Sequence, residues 1–337
     1  MNTIYEAVLG EASALKLRAV TARVQGEDGP FRAAVLLHEA SRAERRALKA
    51  LDAPDAMTRL RVAVERCGCL VEGRDPTAVL ESAWGEVLDA SAFVEEATAR
   101  ALRGRLDPAV SALLDEYRAS VAQMGDTFAW VQAGGHSTPS KDVVRQVSEF
   151  VRRFPGDVRG WQVVAQATHR VGALADAWRA VQRARELDPD DALGQGIELL
   201  LASDVLDGAR LRRLVDAVFV RVAREPVTVE VCLDLCVAMI ALARREPGDA
   251  PTLWARVAEV ASLGMGLPLQ DTRDRPMLRA VRMVAQATLA GQPVTRDLLY
   301  RAGLGPWIEG LQREGMSSPV EMLLRCVPAT TYGPRLP

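Results

Sequence analysis

Apolar residues recur along this chain at three- and four-residue intervals and almost nowhere alternate with polar ones, so the pattern predicts helix after helix and no sheet. A first amphipathic helix is expected over 2–24, closed by the turn-rich stretch Gln25–Pro30. A second runs over about 31–51, with Ala34, Leu37, Ala40 and Leu48 as its buried face. Asp52–Asp55 turns into a third helix over 56–72. Gly73–Pro76 breaks that one and places Pro76 in the first turn of a fourth, where a missing N–H is harmless. The span from Met57 to Leu88 could be a decayed repeat with Ala78 and Gly85 at close-contact positions. Helices near Ala90–Arg103 and Asp107–Gln132 complete an N-terminal bundle, and the stretch Ala133–Ser140 has the glycines, hydroxyls and proline of a linker. Thr138 or Ser140 is placed to cap the next helix, at 141–153.

The best-defined unit runs from Val158 to Pro189. Trp161, Val164, Ala165, Thr168 and Val171 share one helix face, and Gly172 offers a left-handed break at the end. A second face follows in Leu174, Ala177, Val181, Ala184 and Leu187, and Pro189 ends it. Two short helices cannot bury both faces alone, so the unit requires packed neighbours. Helices are expected beyond it at 192–202, 207–223, 228–244, 251–263, 275–290, 295–303, 305–314 and 318–325, before a Pro-rich tail. The organisation expected is therefore a bundle or degenerate repeats over 1–132, a linker at 133–140, a helical repeat domain over 141–327 and a tail over 328–337.

The order Trp161, Val164-Ala165, Thr168, Gly172, Ala177, Val181, Ala184, Pro189 resembles one repeat of the tetratricopeptide-repeat family, with Thr168 and Val181 at its two aromatic positions. Leu211, Leu214 and Val218 follow 37 residues after Leu174, Ala177 and Val181, close to the family period. The resemblance implies an all-α fold of helical hairpins stacked as a solenoid. It also implies a groove on the inner side of the first helix that holds a partner segment. Carried over, the groove positions are Arg159, Gln162, Gln166, His169 and Arg170. They are polar, and their ionised members are basic, which suits an extended and acidic peptide.

Composition narrows the rest. Aromatics are 5% of 337 residues against 49% for the whole hydrophobic set, so Ala, Val and Leu must fill thin helical layers. A net charge of −2 predicts neither membrane adsorption nor nucleic-acid binding, and no apolar run approaches the length of a membrane span. The N-terminus is acidic and amphipathic, without a basic region before an apolar run, and reads as that of a cytoplasmic protein. Five cysteines, Cys67, Cys69, Cys232, Cys236 and Cys326, read as free core thiols, since neither pair has the spacing of a zinc knuckle.

No motif of hydrolysis, phosphate binding or dinucleotide binding is present, and three histidines offer little to a metal site, so neither enzyme nor cofactor is expected. Asp188-Pro189-Asp190-Asp191 resembles the acid motif of class II terpene cyclases, but its place at a helix junction reads as capping. A second basic face, Arg210, Arg213, Arg221 and Arg224, could dock an acidic partner. Two functions follow as expectations. The first is an interaction scaffold or adaptor that binds a protein or peptide segment. The alternative is a helical enzyme or ligand sensor with a dispersed site.

Overall fold

The structure, a computed structural model, describes residues 3–51, 54–132, 138–224, 227–267, 274–292, 294–300 and 305. Among them the fold is all-α, with no strand. The chain forms two compact units, Met1–Pro189 and Asp190–Pro337. The first holds α1 (Thr3–Arg23), α2 (Gly29–Lys49), α3 (Ala56–Glu72), α4 (Ala78–Ser91), α5 (Glu96–Arg103), α6 (Leu106–Ala122), α7 (Gly125–Gln132), α8 (Lys141–Arg153), α9 (Val158–Arg170) and α10 (Leu174–Leu187). The second holds α11 (Ala192–Val205), α12 (Gly208–Val222), α13 (Val229–Arg245), α14 (Ala250–Gly266), α15 (Asp274–Leu289) and the short α16 (Arg296–Leu299). Helices on both sides of 133–140, α7 and α8, belong to the first unit, which ends at Pro189. Residues 133–137, the predicted helices at 305–314 and 318–325, and the Pro-rich tail lie outside the described residues, Gly305 excepted.

Side-chain caps set where several helices begin, because the first N–H groups of a helix have no partner within it. Asp55 accepts from the Thr58 amide at 2.9 Å, Ser140 from Val143 at 3.2 Å and Asp157 from Gly160 at 2.8 Å. Asp191 caps α11 by accepting from Gly194, so that part of the acidic string is a helix start. Several boundaries differ from the periodicity, among them the helix expected near Ala90–Arg103, which begins only at Glu96 because α4 runs on to Ser91. Pro76 lies outside α4, because Thr77 takes the cap and accepts from Val79. The stretch expected as one helix over 107–132 breaks at Gln123–Met124, just before Gly125, a poor helix former.

Neighbouring helices pack pairwise, α1 on α2, α2 on α3, α3 on α4 and α9 on α10 in the first unit, α13 on α14 and α14 on α15 in the second. Ala34, Leu37 and Ala40 are buried as expected. In the α9–α10 pair, Trp161, Val164, Ala165, Ala177, Val181, Ala184 and Leu187 are buried, but Val171 and Leu174 are exposed. Both sit at the Gly172 turn, whose φ of 79° carries the chain away from the helix–helix contact. Gly85 is not a close-contact position either, since a Cβ there would meet nothing within 4 Å. Ala177, fully buried, should not tolerate a larger side chain. Ala177→Trp is expected to cost roughly 1–3 kcal/mol by overpacking, whereas Arg179→Trp, at an exposed position, should shift the melting curve little.

Cys67, Cys69, Cys232 and Cys236 are free and buried, and Cys326 lies outside the described residues. Burial pushes the thiols up, Cys67 to about 12 and Cys232 to about 11, which suits core residues and not nucleophiles. Around Cys232 the second unit is tight: a Cβ on Gly264 of α14 would lie 3.0 Å from the Cys232 Cβ and 2.8 Å from Leu278 of α15.

Candidate functional site

The polar stripe expected on α9 does not form one open surface. Arg159 and Arg170 are exposed, Gln166 and His169 are half-buried, and Gln162 is buried at 3% exposure. Gln162 stands three residues before Ala165, itself fully buried, so it shares a packed side of the helix. Gln162 departs from the groove position that the resemblance implies, because α9 is covered on more than one side. In the second unit, the basic face on α12 is partly neutralised. Arg210 pairs with Asp207 at 3.5 Å, Arg213 and Arg224 are exposed, and Arg221 is half-buried. Between them, Arg212 pairs with Glu246 and, at 2.7 Å, with Asp249.

The other side of α9 faces a cleft of about 460 Å³. Its floor is apolar: Phe31 from the start of α2, Val151 from α8, Pro155 from the α8–α9 turn, Trp161 and Val164 from α9, and Ala180 from α10. Its rim carries Arg152, Arg179 and Arg183 beside Glu27, Asp28 and Asp176. Phe31 and Trp161 meet edge to face with centroids 5.4 Å apart, and the Arg183 guanidinium lies 4.9 Å from the first ring and 4.7 Å from the second. Arg183 also reaches Asp28 at 2.5 Å. The indole N–H of Trp161 donates to the Pro155 carbonyl at 2.9 Å, so the ring is fixed at its polar end too. Sequence reasoning placed Trp161 in a helix–helix core and missed the cleft. Phe31 stands 130 positions before Trp161, and no local pattern joins them.

A buried polar junction holds the turn that supplies Pro155. His38 Nε2 of α2 lies 3.5 Å from Asp75 Oδ2, both residues are buried, and neither atom has a hydrogen-bond partner among the described residues. His38 also bonds to the Gly156 backbone, and Asp75 accepts from the Thr77 amide at 3.0 Å. Burial is the main cause that lowers His38 to about 4 and raises Asp75 to about 6; Arg42 adds to the first and Asp188 to the second. Both shifts favour the neutral forms, so burial opposes an ion pair here.

The consequences for stability have opposite signs. Asp75 is raised, so its contribution is full below about pH 4 and fades as pH climbs to about 6. His38 is lowered, so its contribution grows as pH rises from about 4 towards 6.5. Asp157, also raised by burial to about 6, adds a second acid with the first sign. Asp75→Asn removes one of the two acids and keeps a donor for His38. Its stability relative to wild type should therefore increase by about 1–3 kcal/mol between pH 4 and pH 6. Urea titrations at the two pH values that showed no such divergence would count against a neutral Asp75 at the lower pH.

Arg74, at φ 53°, braces the same turn from outside: its Nε donates to the Arg153 carbonyl at 2.6 Å, and it pairs with Glu116 at 2.7 Å. Arg42 of α2 donates to the Leu187 carbonyl at 2.5 Å and so ties down the end of α10. The cleft is thus built on braced helices and not on free loops.

No protein-family model matches this chain, and no curated protein matches it. Among the described residues there is no group of three or more His, Cys, Asp or Glu placed to hold a metal ion. None of the described helices is long and apolar enough to cross a membrane.

Proposed function

We propose that this protein is an interaction module which seats a segment of a partner protein in the Phe31–Trp161 cleft. The observation that carries the reading is the cleft itself, an apolar floor with an arginine-bearing rim on braced helices. In this reading α9 and α10 act as a tetratricopeptide-like hairpin, with the binding surface on the Trp161 side and not on the Gln162 side. An apolar or aromatic side chain of the partner fills the floor and supplies most of the affinity, as central anchors do. A carboxylate beside it meets Arg152, while Arg179 is held by Asp176, and this charge-assisted hydrogen bond sets orientation. The partner segment is therefore apolar at its centre and acidic where it meets Arg152.

Site-specific photocrosslinking tests this in the full chain. Benzoylphenylalanine at Arg152 or at Arg179 should capture the same partner segment, and Arg183→Glu should abolish both adducts by placing a second carboxylate beside Asp28 and uncovering the two rings. The same probe at Arg118, an exposed residue of α6, should not capture that segment. Equal capture at Arg118, or adducts indifferent to Arg183→Glu, would remove the cleft from consideration.

A further inference from the structure

Helix α1 is apolar on two sides and buried on one. Ala12, Leu15 and Ala19 are buried in a cluster with Ala33, Leu37 and Ala40 of α2. Leu17, Val20 and, just beyond the helix end, Val24 are exposed at 72%, 63% and 82%. They follow one another at three and four residues, so they form a single ridge. A second apolar side on a helix is ordinarily covered as the first is, and three large aliphatic side chains in a row are not scattered surface residues.

The ridge has a cleft on each side. One, of about 590 Å³, is lined by Leu17, Phe31, Val35 and Leu36; the other, of about 540 Å³, by Leu17, Val20, Val64 and Leu106. A ridge between two grooves is a surface on which another such ridge interlocks, since helices pack ridge into groove.

The charges on the rim decide what kind of surface the partner brings. Arg18, Arg32 and Glu186 line the first cleft, and all three are exposed. None of their side chains has an ion-pair partner among the described residues. A partner of one sign would satisfy the arginines and oppose Glu186, or the reverse. A second copy of this face, turned about a two-fold axis, brings both signs with it, as a self-complementary interface requires. We propose that this face is where two copies of the chain associate. The Leu17–Val20–Val24 ridge of each copy lies in the cleft beside α1 of the other, and Arg18 and Arg32 meet the other copy's Glu186.

Sedimentation equilibrium of the full chain across the micromolar range tests the proposal. The wild type should show a monomer–dimer equilibrium. Leu17→Glu/Val20→Glu should be monomeric, with the helical circular dichroism and melting temperature of the wild type. A charge exchange guards against loss of fold. Arg18→Glu/Arg32→Glu and Glu186→Arg should each weaken self-association by about tenfold or more, since like charges then oppose across the axis. Mixed together, the two variants should form a heterodimer, because every opposed pair is then of opposite sign. A wild type that stays monomeric overturns the proposal. So does a dimer indifferent to Leu17→Glu/Val20→Glu, or a mixture that fails to pair.

Discussion

Phe154→Ala should destabilise the first unit by about 3–5 kcal/mol, as loss of a fully buried aromatic side chain does. The ring is 0% exposed and closes the junction between α8 and α9. Phe150 lies 5.0 Å away, Tyr117 lies 5.6 Å away edge to face, and the Arg74 guanidinium covers the ring at 5.2 Å. Removing the ring leaves a cavity whose walls are other aromatic rings, which cannot collapse inward without leaving their own contacts. It also strips Arg74 of its platform. Urea denaturation followed by circular dichroism measures the loss, and a value below about 1 kcal/mol would mean that the site relaxes freely. Phe128→Ala, at 53% exposure, is the control and should change stability little.

Gly156→Ala should cost about 2–3 kcal/mol for a different reason. A Cβ there would stand 2.5 Å from the Gly73 carbonyl oxygen and 3.2 Å from the Asp75 amide nitrogen. Both are backbone atoms, and neither can rotate aside as a side chain would, so one turn must move away from the other. That movement separates Asp75 from His38 and withdraws Pro155 from the cleft floor, so stability and partner capture should fall together. Gly85→Ala should act in the opposite direction. In mid-helix with open space around it, the methyl group is expected to stabilise by about 0.5–1 kcal/mol. If the two alanine variants shifted stability equally, the close approach of the 73–75 and 154–157 turns would be wrong.

The helices were legible because their cores are periodic. Leu37 and Ala40, or Ala177, Val181 and Ala184, repeat at the interval that the helix imposes, and local sequence suffices to place them inside. Phe154, Gly156 and Asp157 were legible only as a turn. Yet they are among the most buried residues of the first unit, because a turn pressed against another turn has no period to reveal it. His38 and Asp75 stand 37 positions apart and meet only when α2 packs on α3. The cleft draws on residues from Glu27 to Arg183, so its existence depends on packing that no window of sequence contains. Gln162 shows the converse error. The resemblance implies a groove position for it, but a helix covered on several sides buries polar side chains as well.

The placement of the cysteines gives each half of the molecule its own chemical clock. Cys67 and Cys69 lie in the first unit and Cys232 and Cys236 in the second, all closed to solvent. A thiol reagent reaches such a residue only when its surroundings open, so alkylation under native conditions counts opening events. Peptide mapping of the labelled chain would time the two pairs separately without any engineered probe. A ligand seated at Trp161 should then slow labelling at Cys67 and Cys69 first, and any spread of that protection to Cys232 and Cys236 would measure how far the two halves share their stability.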